Sequence, residues 1–318
     1  MKIEDIKTQG EVWTEYYDAF GYFSPDNVRP LCEPRRMVHG RGSDKAVILV
    51  HGLTDAPYAM MAVGDHFHRA LGYDVYLPLL HCHGLQDPAG MEEVLLAEWK
   101  NNISFALETA GRSACRVAIG GLSTGGALAF HFAAVDPRVT GELYLFSGAF
   151  GLYGGPANMF SDLVEQLVML PSVDRLSNSA SLVGQNPYRY SRIPIVAVRQ
   201  LVRLMRENDE LIAGFLKQRA FGKRIFSAWT AADTVLNIKK IEQLAKIVPD
   251  DMYCSFVIDK KEKVKHAGVV LSRPVYPLGG GDGDSPLELP NPRFGEMMAV
   301  VSRFEKNEPC NQVQTSQV

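Results

Sequence analysis

The sequence predicts an α/β fold: a mostly parallel central sheet flanked by helices. Three observations carry that expectation. Short β-branched runs alternate with helix-length amphipathic segments along the chain. The first run, Lys45–Val50 (KAVILV), is almost continuously apolar, as a strand buried on both faces should be. Residues 119–126 (IGGLSTGG) then join another such run to a good helix pattern, ALAFHFAAV.

Taken in order, strands are expected at Lys45–Val50, Tyr73–Leu79, Arg116–Ile119, Glu142–Phe146, Arg224–Trp229 and Met252–Ile258. Helical patterns lie between them. Pro57–Leu71 sets Met60, Met61, Val63, Phe67 and Leu71 at spacings that favour one face, and Met91–Glu108 is amphipathic in the same way. Ile238–Ile247 and Phe294–Phe304 complete the alternation. One stretch interrupts it. Between Phe146 and Arg224 nearly eighty residues carry only weak strand signals, with helix candidates at Asn158–Leu170 and Val196–Phe215. An insertion of that length usually covers an active site or forms a small subdomain. The expected organisation is therefore a core of residues 1–150 and 210–308, an inserted cap over 151–209, and a disordered polar tail over 309–318.

Composition bounds the function. The 318 residues are 46% hydrophobic and 22% charged, which is ordinary for a globular chain with a large core. A formal net charge of -3 supplies no basic field for nucleic acid. No apolar run approaches the ~20 residues of a membrane helix, and the charged N-terminal stretch MKIEDIKTQGEVW lacks the apolar segment of a secretory signal. The five cysteines (Cys32, Cys82, Cys115, Cys254 and Cys310) show no paired spacing. They are expected as free thiols in a reducing compartment, which makes a cytoplasmic location the default.

The chemistry centres on Gly121-Leu122-Ser123-Thr124-Gly125, a G-x-S-x-G pattern between a strand and a helix. In that setting the serine sits on a sharp, strained turn that lifts its hydroxyl clear of the sheet. Side chains at 121 and 125 would clash there, and the helix start aims N–H groups at any developing anion. A phosphate loop would need a lysine that is missing, and the dinucleotide fingerprint spacing is also absent. A serine hydroxyl needs a base, and the base an orienting acid. Asp233 follows the strand RIFSAW and His266 follows MYCSFVID, so the chain order is Ser, Asp, His. Alone, Asp233 would pass for a helix or turn cap and His266 for a surface loop residue; together with Ser123 they form a constellation. Acyl transfer also needs two donors for an oxyanion. Thr124 N–H, just after the serine, and Leu53 N–H, in the His51-Gly52-Leu53 turn after KAVILV, are the candidates. An ordinary His-Gly turn is the competing reading at that second position.

These pieces together resemble the α/β-hydrolase superfamily, and within it the carboxylesterase and monoacylglycerol-lipase-like branch. The matching segments are LVHGLTDAP (49–57), PLLHCHG (78–84), IGGLSTGG (119–126), AADTVL (231–236) and KHAGVVL (265–271), spread over nearly the whole chain. The resemblance implies a helical cap inserted after the strand that follows the serine's helix. It also implies Ser123 as nucleophile, His266 as general base, Asp233 as its orienter, and Leu53 and Thr124 as oxyanion donors. Two features depart from the branch. His81-Cys82-His83-Gly84 stands where a G-H-G turn is usual, and the segment after His266 is long, with PLGGGDGDSPLELPNP ahead of the last helix.

The expected function is cofactor-free hydrolysis of carboxylic esters with short- to medium-chain acyl groups, acting on a small molecule through an acyl-enzyme. Lysophospholipids, monoacylglycerols and amides are alternative substrates, and a hydrolase-fold binding module with little turnover is a rival from another class. His81 and His83 are not read as metal ligands, because no further ligands lie at zinc-site spacing. The basic run Lys260–Lys265 reads as a solvated face.

Overall fold

The computed structural model describes residues 10–155, 165–166, 168–169, 183–217, 221–280 and 283–309. Its strands are β1 (Glu11–Val12), β2 (Arg35–Met37), β3 (Lys45–Val50), β4 (Asp74–Leu77), β5 (Arg116–Leu122), β6 (Leu143–Phe146), β7 (Ile225–Thr230) and β8 (Tyr253–Ile258). They form one sheet in the order β1-β2-β4-β3-β5-β6-β7-β8. All pairings from β4 to β8 are parallel, and β1 and β2 close one edge antiparallel. The helices are α1 (Thr14–Ala19), α2 (Met61–Leu71), α3 (Leu96–Gly111), α4 (Thr124–Val135), α5 (Ile195–Leu216), α6 (Ile238–Gln243) and α7 (Phe294–Glu305).

Period-two alternation assigns each strand side chain to one of two cores. In β3, Ala46, Ile48 and Val50 enter the core shared with α1, α3, α4, α5 and α6. Val47 and Leu49 enter the opposite core, built with α2 and α7. A sheet covered on both faces explains why its strands read as continuous apolar runs.

The six expected strands are present: Lys45–Val50 has the expected bounds, and the ends of the others shift by no more than three residues. The largest change is at β5, which continues through Gly120 and Gly121 because both still pair with β6, opposite Tyr144 and Leu145. Glycines expected to begin the turn are thus its last flat stretch. β1 and β2 were not expected: they are two and three residues long, and β2 is charged at Arg35 and Arg36. Edge pairing with β4 and the Arg35–Glu33 and Arg36–Glu11 ion pairs hold them instead of apolar pattern. Within the expected Met91–Glu108 helix, a 3₁₀ turn spans Pro88–Glu93 and α3 starts at Leu96. Helix α5 runs across the 209/210 boundary expected for the insertion. Most of the expected Asn158–Leu170 helix and the 310–318 tail lie outside the described residues.

The cysteine expectation needs correction. Cys32, Cys82 and Cys115 are free thiols, but Cys254 on β8 is disulfide-bonded. The sequence pattern around Cys254 gives no signal of that bond, and the thiol argument for a reducing compartment falls. Among the described residues, no helix is long and apolar enough to cross a membrane.

Candidate active site

The strand order reverses between β3 and β5: the chain lays β4 outside β3 on one side, then crosses to the other for β5. In open parallel sheets, ligands bind at the carboxyl edge beside such a switch point. The register sets Val50 opposite Gly121, so the loop after β3, carrying Leu53, leaves the sheet beside the turn carrying Ser123. Thr230 pairs with Ile258, which brings the exits of β7 and β8, and hence Asp233 and His266, side by side.

Ser123 has φ 53° and ψ −116°, a conformation that costs a non-glycine residue on the order of 1–3 kcal/mol. The surroundings hold it there. Its N–H donates to Phe146 O at 3.0 Å, and its carbonyl accepts from Ala127 and Ala149 N–H at 3.0 Å each. The clash expected at 121 and 125 is real. A Cβ on Gly125 would lie 2.1 Å from Val50 O, and one on Gly121 would lie 2.5 Å from the Gly125 carbonyl carbon. The contacts are backbone to backbone, so no rotamer relieves them. Gly125→Ala is therefore expected to cost at least the ~1–3 kcal/mol of an overpacked core. Urea denaturation would show a lowered midpoint with an unchanged slope.

Asp233 and His266 meet: His266 Nδ1 lies 2.6 Å from Asp233 Oδ2. The other carboxylate oxygen accepts from Val235 N–H (2.8 Å) and Leu236 N–H (3.1 Å). Burial acts to raise the Asp233 carboxyl, but the bond and charge of His266 and the two backbone donors outweigh it, and its pKa stays below the ordinary aspartate value. The His266 ring is thereby oriented, and its buried Nε2 has no hydrogen-bond partner among the described residues. Ser123, His266 and Leu53 line one cavity of about 900 Å³.

Thr124 is the first residue of α4, so its N–H has no partner within the helix. No hydrogen bond among the described residues engages Leu53 N–H. The loop bearing Leu53 is held by groups whose roles the sequence does not reveal. His51 is fully buried, and burial first, then the neighbouring His83, push its pKa well down. The neutral ring faces Gly52 O with Nδ1 (2.9 Å) and accepts Leu80 N–H at Nε2 (3.1 Å), which assigns the proton to Nδ1. His83, whose pKa burial lowers, faces Leu53 O with Nε2 at 2.8 Å and His81 O with Nδ1 at 2.9 Å. Tyr190 N–H donates to Thr54 O at 2.8 Å. Arg189 pairs with Asp55 at 2.8 Å and with Glu288 at 3.0 Å. The departure at His81-Cys82-His83-Gly84 also has a geometric reading: Cys82 and Gly84 both have φ 64°. The cysteine occupies a left-handed position that glycine would adopt without strain.

The alpha/beta hydrolase family model matches residues 47–288, and the chain belongs to that family. Its fold is shared with solved lipolytic enzymes at low identity. A structure from work on LipS and LipT, two metagenome-derived lipolytic enzymes, is 19% identical with a TM-score of 0.64, covering 88% of this chain and 99% of its own. The monoacylglycerol lipase of Paleococcus ferrophilus is 15% identical with a TM-score of 0.57, over 87% of this chain and 100% of its own. A soluble variant of the Saccharomyces cerevisiae monoglyceride lipase, in complex with a substrate analogue, is 12% identical with a TM-score of 0.57, over 90% and 98%. No curated protein sequence gives a significant match.

Proposed function

We propose that this chain is a serine hydrolase of carboxylic esters, with Ser123 as nucleophile, His266 as general base and acid, and Asp233 as the group that orients His266. The observation that carries the proposal is the Asp233–His266 bond at 2.6 Å, which leaves Nε2 unpartnered on a histidine lining the cavity that Ser123 also lines. In this mechanism Nε2 takes the Ser123 proton as Oγ attacks the acyl carbonyl. Leu53 and Thr124 N–H groups then receive the oxyanion. His266 next returns the proton to the departing alcohol, and water, activated the same way, releases the acid.

The cavity supports short- to medium-chain acyl groups. Leu152, Ile193, Val198, Leu201, Leu236 and Leu287 line it, and an apolar chain of a few carbons fits in about 900 Å³. Residues 151–209 serve as the cap in this proposal. The apolar cap residues Met159, Phe160, Leu163 and Leu167 lie outside the described residues. A cytoplasmic location stays part of the proposal, now without the cysteine argument. Monoacylglycerols are the second substrate class, favoured by the apolar lining.

A fluorophosphonate probe tests the reading directly. It is expected to add one adduct per chain, mapped by peptide mass to Ser123. A p-nitrophenyl ester series from acetate to palmitate is expected to peak at short to medium chains. An intact protein left unlabelled by the probe, and inert to the whole series, would place the chain among binding modules instead.

A further inference from the structure

Asp55 is the unexpected group at this site. It is 5% exposed, lines the cavity with Ser123, and folds back over the turn that carries Leu53. A Cβ on Gly52 would lie 2.4 Å from Asp55 Oδ2 and 3.5 Å from Ser123 Cβ. A carboxylate lining the same cavity as the reacting serine opposes a developing oxyanion, because like charges in a half-buried site repel. Arg189 answers it at hydrogen-bond distance. Arg189, from the segment 183–193, meets Asp55 Oδ1 at 2.8 Å with one terminal nitrogen and Glu288 at 3.0 Å with the other. Glu288 is itself held by Asn186 at 2.7 Å. The next residue, Tyr190, grips the same turn through its N–H to Thr54 O, while its ring hydroxyl donates to Cys82 O at 3.2 Å.

We propose that Arg189 is a positioning residue for the oxyanion site: it pins Asp55 against Gly52 and cancels its charge, so that Leu53 N–H meets the oxyanion without an opposing carboxylate. The inference rests on the serine-hydrolase reading above. It also gives the long loop after His266 a task. Glu288, from that loop, holds the guanidinium from the side opposite Asp55, so three segments distant in sequence converge on one turn.

The test uses p-nitrophenyl butyrate and four variants: Arg189→Met, Arg189→Lys, Asp55→Asn and the double Arg189→Met/Asp55→Asn. Arg189→Met is expected to lower kcat about 100-fold with KM changed less than about threefold, because the opposing charge acts on the transition state. Arg189→Lys, which keeps the charge without the two-pronged geometry, should recover part of that loss. The deciding comparison is the double variant, in which the Asp55 carboxylate is gone while Glu288 keeps its bond to Asn186; it is expected to return to the kcat of Asp55→Asn. A double variant as slow as Arg189→Met, or Arg189→Met with wild-type kcat, overturns the proposal. Should Arg189→Met fail to fold, as a buried unpaired carboxylate can cause, the double variant is still compared with Asp55→Asn, and a kcat far below that single variant is the overturning result. Fluorophosphonate labelling of the wild type separates the two claims. A labelled, active wild type with the wrong variant pattern defeats only the role of Arg189, whereas an unlabelled, inactive wild type defeats the hydrolase reading itself.

Discussion

Ser123→Ala is expected to lower kcat for p-nitrophenyl butyrate by about 10⁶, the loss typical when the nucleophile of a serine hydrolase is removed. In the proposed mechanism, methyl for hydroxymethyl removes the attacking oxygen and leaves the rest of the site standing. The Leu53 and Thr124 donors and the apolar cavity would remain, so a residual acceleration of about 10³–10⁴ over water is expected. The variant should fold as the wild type does, since the bonds that fix residue 123 run through its backbone N–H and carbonyl. Equal thermal melts with a lost burst of p-nitrophenol would meet this expectation. A variant that hydrolyses the ester at half the wild-type rate would exclude Ser123 as nucleophile.

Asp233→Asn is expected to lower kcat by about 10⁴ with little change in KM. The amide can present its NH₂ where the carboxylate accepted, and it then stabilises the wrong His266 tautomer, with the proton on Nε2 where the base must be free. In the proposed mechanism it also removes the charge that stabilises the imidazolium. The substitution has a second reading in stability. Asp233 has a depressed pKa in the folded state, so its contribution is present above the unfolded carboxylate value and is lost as pH falls through the lower folded value. The wild type should therefore melt above Asp233→Asn at neutral pH, and the gap should close only in strong acid. A gap that stays constant down to pH 2 would show that the carboxylate's charge is not what the fold uses.

Legibility differs from part to part for physical reasons. β3 is legible because both its faces are buried, so Lys45–Val50 is apolar throughout. Ser123, Asp233 and His266 each follow a strand that can be read; Ser123 and His266 line one cavity, and Asp233 bonds His266. β2 is illegible because its pairing, not its pattern, makes it a strand. Arg189, Asp55 and Glu288 are each ordinary charged residues in sequence, and nothing local marks them as partners; the convergence exists only once the sheet brings their loops together. His83 had a signal, its place in the turn after the strand 74–77, but its role lies in a contact to Leu53 O that no spacing encodes. Cys254 makes the same point for covalent pairing.

The contact of Gly125 with Val50 O has a consequence for how such a chain can diverge. At 2.1 Å from a backbone oxygen, no larger residue is accepted at 125 unless the strand and helix separate. Mutational drift there is closed off one step at a time. Elsewhere it is open: Cys82 shows that even a left-handed backbone position next to the site tolerates a side chain, at a strain on the order of 1–2 kcal/mol. The stretch that presents the serine is thus confined to a narrow path, while the turns and inserted segment that shape the pocket wall can wander, and new substrate preferences are most accessible through them.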